Sequence, residues 1–343
     1  MRILAINNYS LHAAMGKSAK GIAPYHHCWG IDYLMHKGHE VDTMLYSPPK
    51  NRIKKLLYSI IFNLRILKYI RKYNVVITFA NPIIGHLALL KSLHLLPCKT
   101  KLYTLVHHLY PKGSLLFSGY DKIFFLSSKI MEYASKNYPT LKKRFYKLDW
   151  GPDLPFYERT FLTMANEKER GNLLISTGKT ARDIDLITPI PNDIGLPVMI
   201  ITDTIKEIDQ SIKTSGKKGV NPLSYKEILT YMEKATISAI CIIKENPSKS
   251  LSGLTSFLDA CTLGTPIIMS DNTNIGIDIE ALQMGYCYST GNYEDFKQKL
   301  KMLISDESRF EMMKTNCRKW ALENSYENYC RKLYKEIIDE TLE

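Results

Sequence analysis

The feature that most limits what this chain can become is a double alternation. Short apolar runs alternate with amphipathic stretches, and the pattern is interrupted once, near residue 150. In the first half the candidate strands are Arg2–Ile6, Glu40–Leu45, Val75–Phe79, Lys101–Val106 and Lys122–Leu126. Helical spacing marks Tyr25–Lys37, Arg52–Lys72, Ile83–Leu95 and Ser128–Asn137 between them. Such alternation implies a parallel sheet covered on both faces. Trp150-Gly151-Pro152-Asp153-Leu154-Pro155 then breaks it, because two prolines and a glycine in six residues mark a linker. The polar stretch Thr163–Gly171 reads as a connecting loop.

A second series follows. Its candidate strands are Asn172–Thr177, Val198–Thr202, Ile237–Ile243, Pro266–Ser270 and Gly285–Tyr288. Its candidate helices are Ser224–Lys234, Leu254–Leu263, Gly276–Gln283, Tyr293–Ser305, Glu307–Glu323 and Tyr326–Glu340. Ser224-Tyr225-Lys226-Glu227 has the form of a capping box. A chain of 343 residues is long enough for two domains, expected at 1–155 and 165–322, with 323–343 as a terminal helix. Two consecutive α/β units imply a ligand cleft near the carboxyl ends of their sheets.

Composition narrows the classes. Seven scattered cysteines without a C-x-x-C pair argue against a disulfide framework or a zinc site. The first strand runs straight into polar residues and lacks the apolar core of a signal peptide. No stretch approaches the roughly 18 apolar residues needed to span a bilayer. A cytoplasmic protein is therefore expected. The net charge of +12 is unevenly spread: residues 1–150 hold 23 Lys/Arg against 6 Asp/Glu, and residues 151–343 hold 23 against 28. A basic half calls for an anionic partner, whether nucleic acid, lipid headgroups or a phosphorylated substrate.

Four places could carry chemistry. After the first strand comes a small-residue polar stretch, Asn7–Gly21, holding Gly16, Lys17, Ser18 and Gly21 and read as a loop; Pro24-Tyr25-His26-His27 then opens a helix. It is not the G-x-G-x-x-G of dinucleotide-binding folds. His107 and His108 end the strand Leu102–Val106, where an imidazole can meet a sugar hydroxyl or carry a proton; neighbours on a strand point to opposite faces, so one of the two faces a ligand. Ser176-Thr177-Gly178-Lys179 with Arg182-Asp183 places a small turn and two cations at a strand end, able to neutralise a departing diphosphate. The strongest signal is Ser250–Asp271. There Ser252 can cap a helix, and Gly253 lets a ligand approach the backbone. The N–H groups of Leu254 and Thr255 offer an anion site, and Asp259 lies about two turns in, within reach of a ribose.

These blocks, taken in order, resemble retaining GT-B glycosyltransferases of family 4. Ser252–Ala260 through Gly264-Thr265-Pro266-Ile267-Ile268 is similar to the family's nucleotide-binding helix and following strand. Trp150-Gly151-Pro152-Asp153 resembles its inter-domain segment, and Thr104–His108 the strand bearing its active-site histidine. Thr177-Gly178-Lys179 with Arg182-Asp183 resembles its phosphate-contacting segment, and Asp306–Tyr326 its closing helices. The resemblance implies two Rossmann-like domains facing each other across a cleft, with the last helix crossing back to the first domain. It implies that Gly253, Leu254 and Thr255 bind the diphosphate through backbone N–H groups and that Asp259 holds the ribose. Lys179 and Arg182, beside Gly178 in the phosphate-contacting segment, would stabilise the leaving group, His107 or His108 would contact the donor sugar, and the loop around Gly16–Gly21 would approach the reacting centre. It implies no metal and no cofactor beyond the nucleotide sugar. The family carries two glutamates eight positions apart. Here the second is Asp259, and Leu251 stands eight residues before it, with Glu245 further upstream.

The basic half has its densest region at Lys50–Lys72, with no acid among Lys50, Arg52, Lys54, Lys55, Arg65, Lys68, Arg71 and Lys72. Leucines and isoleucines recur between these charges at near-helical spacing, as in a helix lying on an anionic membrane, with Tyr58, Phe62 and Tyr69 at the interface. The alternative arrangement packs the apolar side on the sheet. The expected activity is transfer of a sugar from a nucleotide donor to a lipid-linked saccharide of a surface polysaccharide, at the inner face of the membrane. The other reading is a non-catalytic subunit that binds a nucleotide sugar or a partner enzyme.

Overall fold

A computed structural model of the chain describes residues 1–80, 83–96, 99–108, 114–160, 171–202, 213–214, 223–244 and 251–338. Of the expected connecting loop at 163–171 only Gly171 falls within these, and Glu245 lies outside them. The chain divides into two compact units, residues 1–150 together with 326–343, and residues 151–325.

The first unit is built on six parallel strands, β1 (Arg2–Asn7), β2 (Glu40–Leu45), β3 (Val75–Thr78), β4 (Lys101–Val106), β5 (Lys122–Phe125) and β6 (Phe145–Lys147), in the order β2-β1-β3-β4-β5-β6. Its central strands are unbroken apolar runs because helices cover both faces; Val75, Val76, Ile77 and Phe124 are fully buried. The half-exposed edge strand β6 has only three residues, too few to show a pattern in sequence. Around the sheet lie α1 (Leu11–Ala19), α2 (Ile31–His36), α3 (Arg52–Leu67), α4 (Gly85–Ser92), α5 (Ser114–Phe117) and α6 (Ser128–Asn137).

Three sequence expectations need correction. The stretch Asn7–Gly21 is not an open loop: Ser10 caps α1 by accepting from the Ala13 amide at 3.1 Å, and Leu11 and Ser18 are buried beneath it. Gly16 is therefore a helical residue with open space beside it. Tyr25–Lys37 is not one helix. A 3-10 turn, Tyr25–Cys28, is separated from α2 by Trp29 and Gly30, both left-handed at φ 58° and 84°. Gly276–Gln283 forms a turn rather than a helix, because the Asp278 carboxylate takes the Glu280 and Ala281 amides and Gln283 turns left-handed at φ 50°.

The basic stretch also splits: α3 ends at Leu67 and a 3-10 turn, Ile70–Lys72, follows. The buried side of α3 is Phe62, Asn63 and Ile66. Phe62 and Tyr58 pack with Tyr46 in an aromatic cluster, with ring centroids 5.0–6.0 Å apart, so these two rings are not the interface residues the pattern implied.

The second unit has another six parallel strands, β7 (Leu174–Thr177), β8 (Val198–Ile201), β9 (Lys213–Thr214), β10 (Ile237–Ile240), β11 (Ile267–Ser270) and β12 (Gly285–Tyr288), in the order β12-β11-β10-β7-β8-β9. Counted within the unit this is 3-2-1-4-5-6 read from the far edge, the Rossmann order, with its reversal between β7 and β10. The helices are α7 (Leu154–Thr160), α8 (Ile190–Ile194), α9 (Tyr225–Lys234), α10 (Leu254–Leu263), α11 (Tyr293–Ser305) and α12 (Glu307–Glu323). α9 begins with the full capping box between Ser224 and Glu227. α10 is buried on nearly every side, its polar Ser256, Asp259 and Thr262 included, and Phe257 meets Trp320 of α12 edge-on at 4.8 Å.

The final helix, α13 (Tyr326–Ile338), belongs to the first unit although it follows the second in sequence. The Tyr326 hydroxyl accepts the Gly30 amide at 2.7 Å and donates to Asp32 at 2.5 Å. Lys122, 3% exposed, bonds both the backbone carbonyl and the carboxylate of Glu336 at 2.8 Å.

Candidate functional site

In doubly wound sheets ligands bind outside the carboxyl ends of the strands, where the strand order reverses. In the second unit that point is the end of β7, and the sequence loads it with small and polar groups. Thr177 closes β7, and its hydroxyl donates to Ser256 Oγ in the first turn of α10 at 3.0 Å. Ser256 in turn donates to the Thr177 carbonyl at 2.9 Å. Arg182 locks the turn between them: Nε reaches the Thr177 carbonyl at 2.8 Å, Nη1 the Thr180 carbonyl at 3.1 Å and Nη2 Ser256 Oγ at 3.2 Å. The guanidinium lies so close to Gly178 that a Cβ there would sit 2.2 Å from Nη2. Burial pushes the Arg182 pKa down to about 10, which still leaves it charged at neutral pH. Arg182 thus shapes the turn, and Lys179 is the cation exposed on it.

α10 starts at the same place. Its N-cap is Gly253, left-handed at φ 95°, with no side-chain cap bond; Ser252 beside it is buried and is not the cap the sequence implied. A Cβ on Gly253 would meet Ile240 Cγ2 at 2.5 Å, so the glycine is required for the close approach of α10 to β10. The Leu254 amide is not free, since it donates to the Leu251 carbonyl at 3.1 Å. In a helix that begins at Leu254, Thr255 and Ser256 are the following amides without an intrahelical acceptor, and they carry the positive end of the dipole. The Thr255 side chain is exposed there.

Asp259 lies one turn further along α10 and is 3% exposed. Its Oδ1 accepts the hydroxyls of both Tyr157 (α7) and Tyr225 (α9) at 2.5 Å, and those two oxygens are 3.2 Å apart. Burial raises the carboxyl to about 6, against the two phenols that pull it down. Burial and the neighbouring carboxylate hold both tyrosines well above their ordinary range. Neither tyrosine is marked by the sequence, because they stand 102 and 34 residues from Asp259 with no shared period.

In the first unit the strand order reverses at β1, and the residues there are aromatic and amide. His107 follows β4, and its Nε2 lies 2.7 Å from the Phe79 carbonyl. A carbonyl only accepts, so Nε2 carries the proton and Nδ1 is the acceptor. Burial lowers the His107 pKa to about 4, so the ring is neutral at pH 7. Trp29 meets His107 edge-on at 5.1 Å and stacks on Trp150 at 4.8 Å. His108 is half-buried, and burial lowers its pKa as well. Asn7, at the end of β1, is 1% exposed, and neither its amide atoms nor Trp29 Nε1 makes a well-formed hydrogen bond, although the Tyr9 hydroxyl interacts with both side chains. Buried amides are normally satisfied, so Asn7 and Trp29 join the candidate residues that the sequence does not single out. Among the described residues no three His, Cys, Asp or Glu side chains gather as metal ligands would.

No known family model matches the sequence, and no curated protein sequence matches it. Solved structures do match in fold. Sucrose-phosphate synthase from Thermosynechococcus elongatus superposes with a TM-score of 0.71 at 11% identity, over 99% of this chain and 100% of that one. WaaG, a glycosyltransferase involved in lipopolysaccharide biosynthesis, gives 0.66 at 12% identity, over 98% and 100%. Anabaena HepE in complex with UDP gives 0.63 at 10% identity, over 98% and 99%. The chain therefore has the GT-B fold along nearly its whole length.

Proposed function

We propose that the chain is a glycosyltransferase that moves a sugar from a nucleotide-activated donor to a saccharide acceptor with retention of configuration. The observation that carries this reading is the end of β7. There the Arg182-locked turn and the uncapped start of α10 present backbone amides and Lys179 together, with a buried carboxylate one turn below. The amides of Thr255 and Ser256 take the diphosphate, Asp259 takes the ribose hydroxyls, and Lys179 offsets the charge that grows on the leaving diphosphate. His107, neutral and with Nδ1 as acceptor, receives a hydrogen bond from a sugar hydroxyl; Asn7 and Trp29 Nε1 bind hydroxyls on the same unit. Helix dipole and lysine do the work for which other folds use a metal. HepE was solved with UDP and with UDP and glucose, which supports a nucleoside diphosphate here. The acceptor is a lipid-linked saccharide of a surface polysaccharide, met at the cytoplasmic face of the membrane, with the basic Lys50–Lys72 stretch against anionic headgroups.

The test is donor hydrolysis and transfer by the purified protein across a panel of nucleotide sugars. Asp259→Ala should abolish nucleotide binding, and His107→Ala should slow transfer while leaving nucleotide affinity in place. If neither variant changes binding or rate, the site is misassigned. A second reading, a non-catalytic subunit that binds a nucleotide sugar, draws on Leu251 standing where the resembled family has its first glutamate. Calorimetric binding without turnover across the same panel would decide for it.

A further inference from the structure

We propose that α3 is a membrane-inserting element, whose solvent face enters the headgroup region of an anionic bilayer as an apolar strip with a cationic rim. This deepens the membrane part of the reading above and does not depend on the chemistry at β7.

The strip is Ile53, Leu56, Leu57, Ile60, Ile61 and Leu64, each 39–80% exposed. Their spacing of three and four residues puts all six on one side of α3. From Ile53 to Leu64 the strip runs roughly 17 Å along the helix. It is not the side that packs on the protein. Asn63 fixes the rotation of α3: its Nδ2 donates to the Ile83 carbonyl at 3.2 Å, and its Oδ1 accepts the Leu87 amide at 3.3 Å, both at the start of α4. With Asn63, Phe62 and Ile66 held inward, the leucines and isoleucines turn outward. The strip therefore does not pack on the protein; among the apolar residues of α3 only Phe62 and Ile66 are buried. Single exposed leucines are ordinary, but six in one file on a helix that also has a separate buried side are a contiguous patch.

Charge selects the occupant. Lys54 and Arg65 border the strip on one flank, Lys68 lies just beyond its end, and α3 contains no acid. All three cations are exposed. A second copy of this chain packing α3 on α3 would bring like-charged rims together and would need acids that α3 lacks. Anionic headgroups meet a cationic rim, and acyl chains meet the strip, in one plane. Long basic side chains also reach upward from a buried helix edge to the phosphate level. No helix among the described residues is long and apolar enough to cross a membrane, so attachment through α3 lies in the interface.

The experiment is sedimentation of the full chain with sucrose-loaded vesicles of phosphatidylcholine alone and of phosphatidylcholine mixed with phosphatidylglycerol. The wild type should pellet with the mixed vesicles and release at high salt. The double variant Ile60→Ser/Leu64→Ser should lose binding about thirty-fold, if each side chain forfeits about half of its full burial contribution. Lys54→Gln/Arg65→Gln should lose about thirty-fold on anionic vesicles only, at about five-fold per cation. All four positions are exposed, and nucleotide binding, read in the same samples, should be unchanged. Equal pelleting of wild type and Ile60→Ser/Leu64→Ser overturns the proposal, as does equal binding to both vesicle types. A wild-type dimer that this variant converts to monomer, with no vesicle binding, also overturns it and makes the strip a self-interface. Failure of sugar transfer with intact vesicle binding would sink the enzymatic reading and leave this one standing.

Discussion

Replacing Asp259 with asparagine tests the buried carboxylate directly. Its folded pKa is about 6, against an ordinary value of 3.8. Ionising it inside the fold therefore costs about 3 kcal/mol relative to the unfolded chain, at about 1.4 kcal/mol for each factor of ten. Because the folded pKa is raised, stability is fully present below pH 3.8 and is lost as pH rises towards 6 and beyond. About half of the loss has appeared by pH 5, so about 1.5 kcal/mol remains to be lost between pH 5 and 8. Asparagine keeps an oxygen for the hydroxyls of Tyr157 and Tyr225 but cannot ionise. Its stability relative to the wild type should therefore improve by about 1.5 kcal/mol over that interval, whatever the fixed penalty for its buried NH2. The measurement is urea unfolding of the second unit at pH 5, 6, 7 and 8, with hydrogen exchange along α10 as a local reading. Trp320 reports on this unit, since it is the unit's sole tryptophan and packs on Phe257 of the same helix. A difference between the two proteins that stays constant from pH 5 to 8 would show that the carboxylate ionises as if exposed, and the argument from burial would fail.

The same titration should appear in binding. If the ribose hydroxyls donate to ionised Asp259, nucleotide affinity should fall about ten-fold between pH 7 and 5, a trend that calorimetry in Asp259→Asn should not show. Gly253→Ala, forced to φ 95° with its Cβ 2.5 Å from Ile240, should lose about 2 kcal/mol of stability together with nucleotide binding; full binding in a stable alanine variant would refute the close-approach argument. Tyr326→Phe strands the Gly30 amide and removes one donor from Asp32, and should destabilise the first unit by about 2 kcal/mol in denaturant unfolding without touching nucleotide affinity.

Strands were legible where a parallel strand buried on both faces is a short apolar run: β4 and β12, buried along nearly all their length, have the ends that hydrophobicity gives. What escaped were local decisions. Nothing in Leu11–Ala19 has the long apolar period of a core helix, since only Leu11 and Ser18 are buried, so a helix made by Ser10 capping reads as a polar loop. Trp29 carries a positive φ that no residue type announces, so one expected helix becomes a turn and a shorter helix. In α3 the hydrophobic period was visible but its phase was not. Which side faces the protein is set by Asn63 reaching Ile83 and Leu87, a contact made across 20 and 24 residues.

At the candidate site the sequence located the helix and its acid but not the surroundings that define the acid's chemistry. Asp259 falls one methylene short of the glutamate found in the resembled family, and the structure places two phenols against its Oδ1. The three groups come from α7, α9 and α10, so the carboxylate ties together the segment that enters the second unit, the capped helix Tyr225–Lys234 and the helix whose start presents free amides. A longer acid would carry its oxygens past two hydroxyls that are only 3.2 Å apart. The aspartate and the two tyrosines therefore form one matched set, in which the shorter side chain is the condition for the two phenols rather than a weakened version of a glutamate. Burial of the set raises the carboxyl pKa despite the two phenols, which makes this carboxylate, and with it the stability of the helix that starts at Gly253, responsive to pH in the range where a surface aspartate is not.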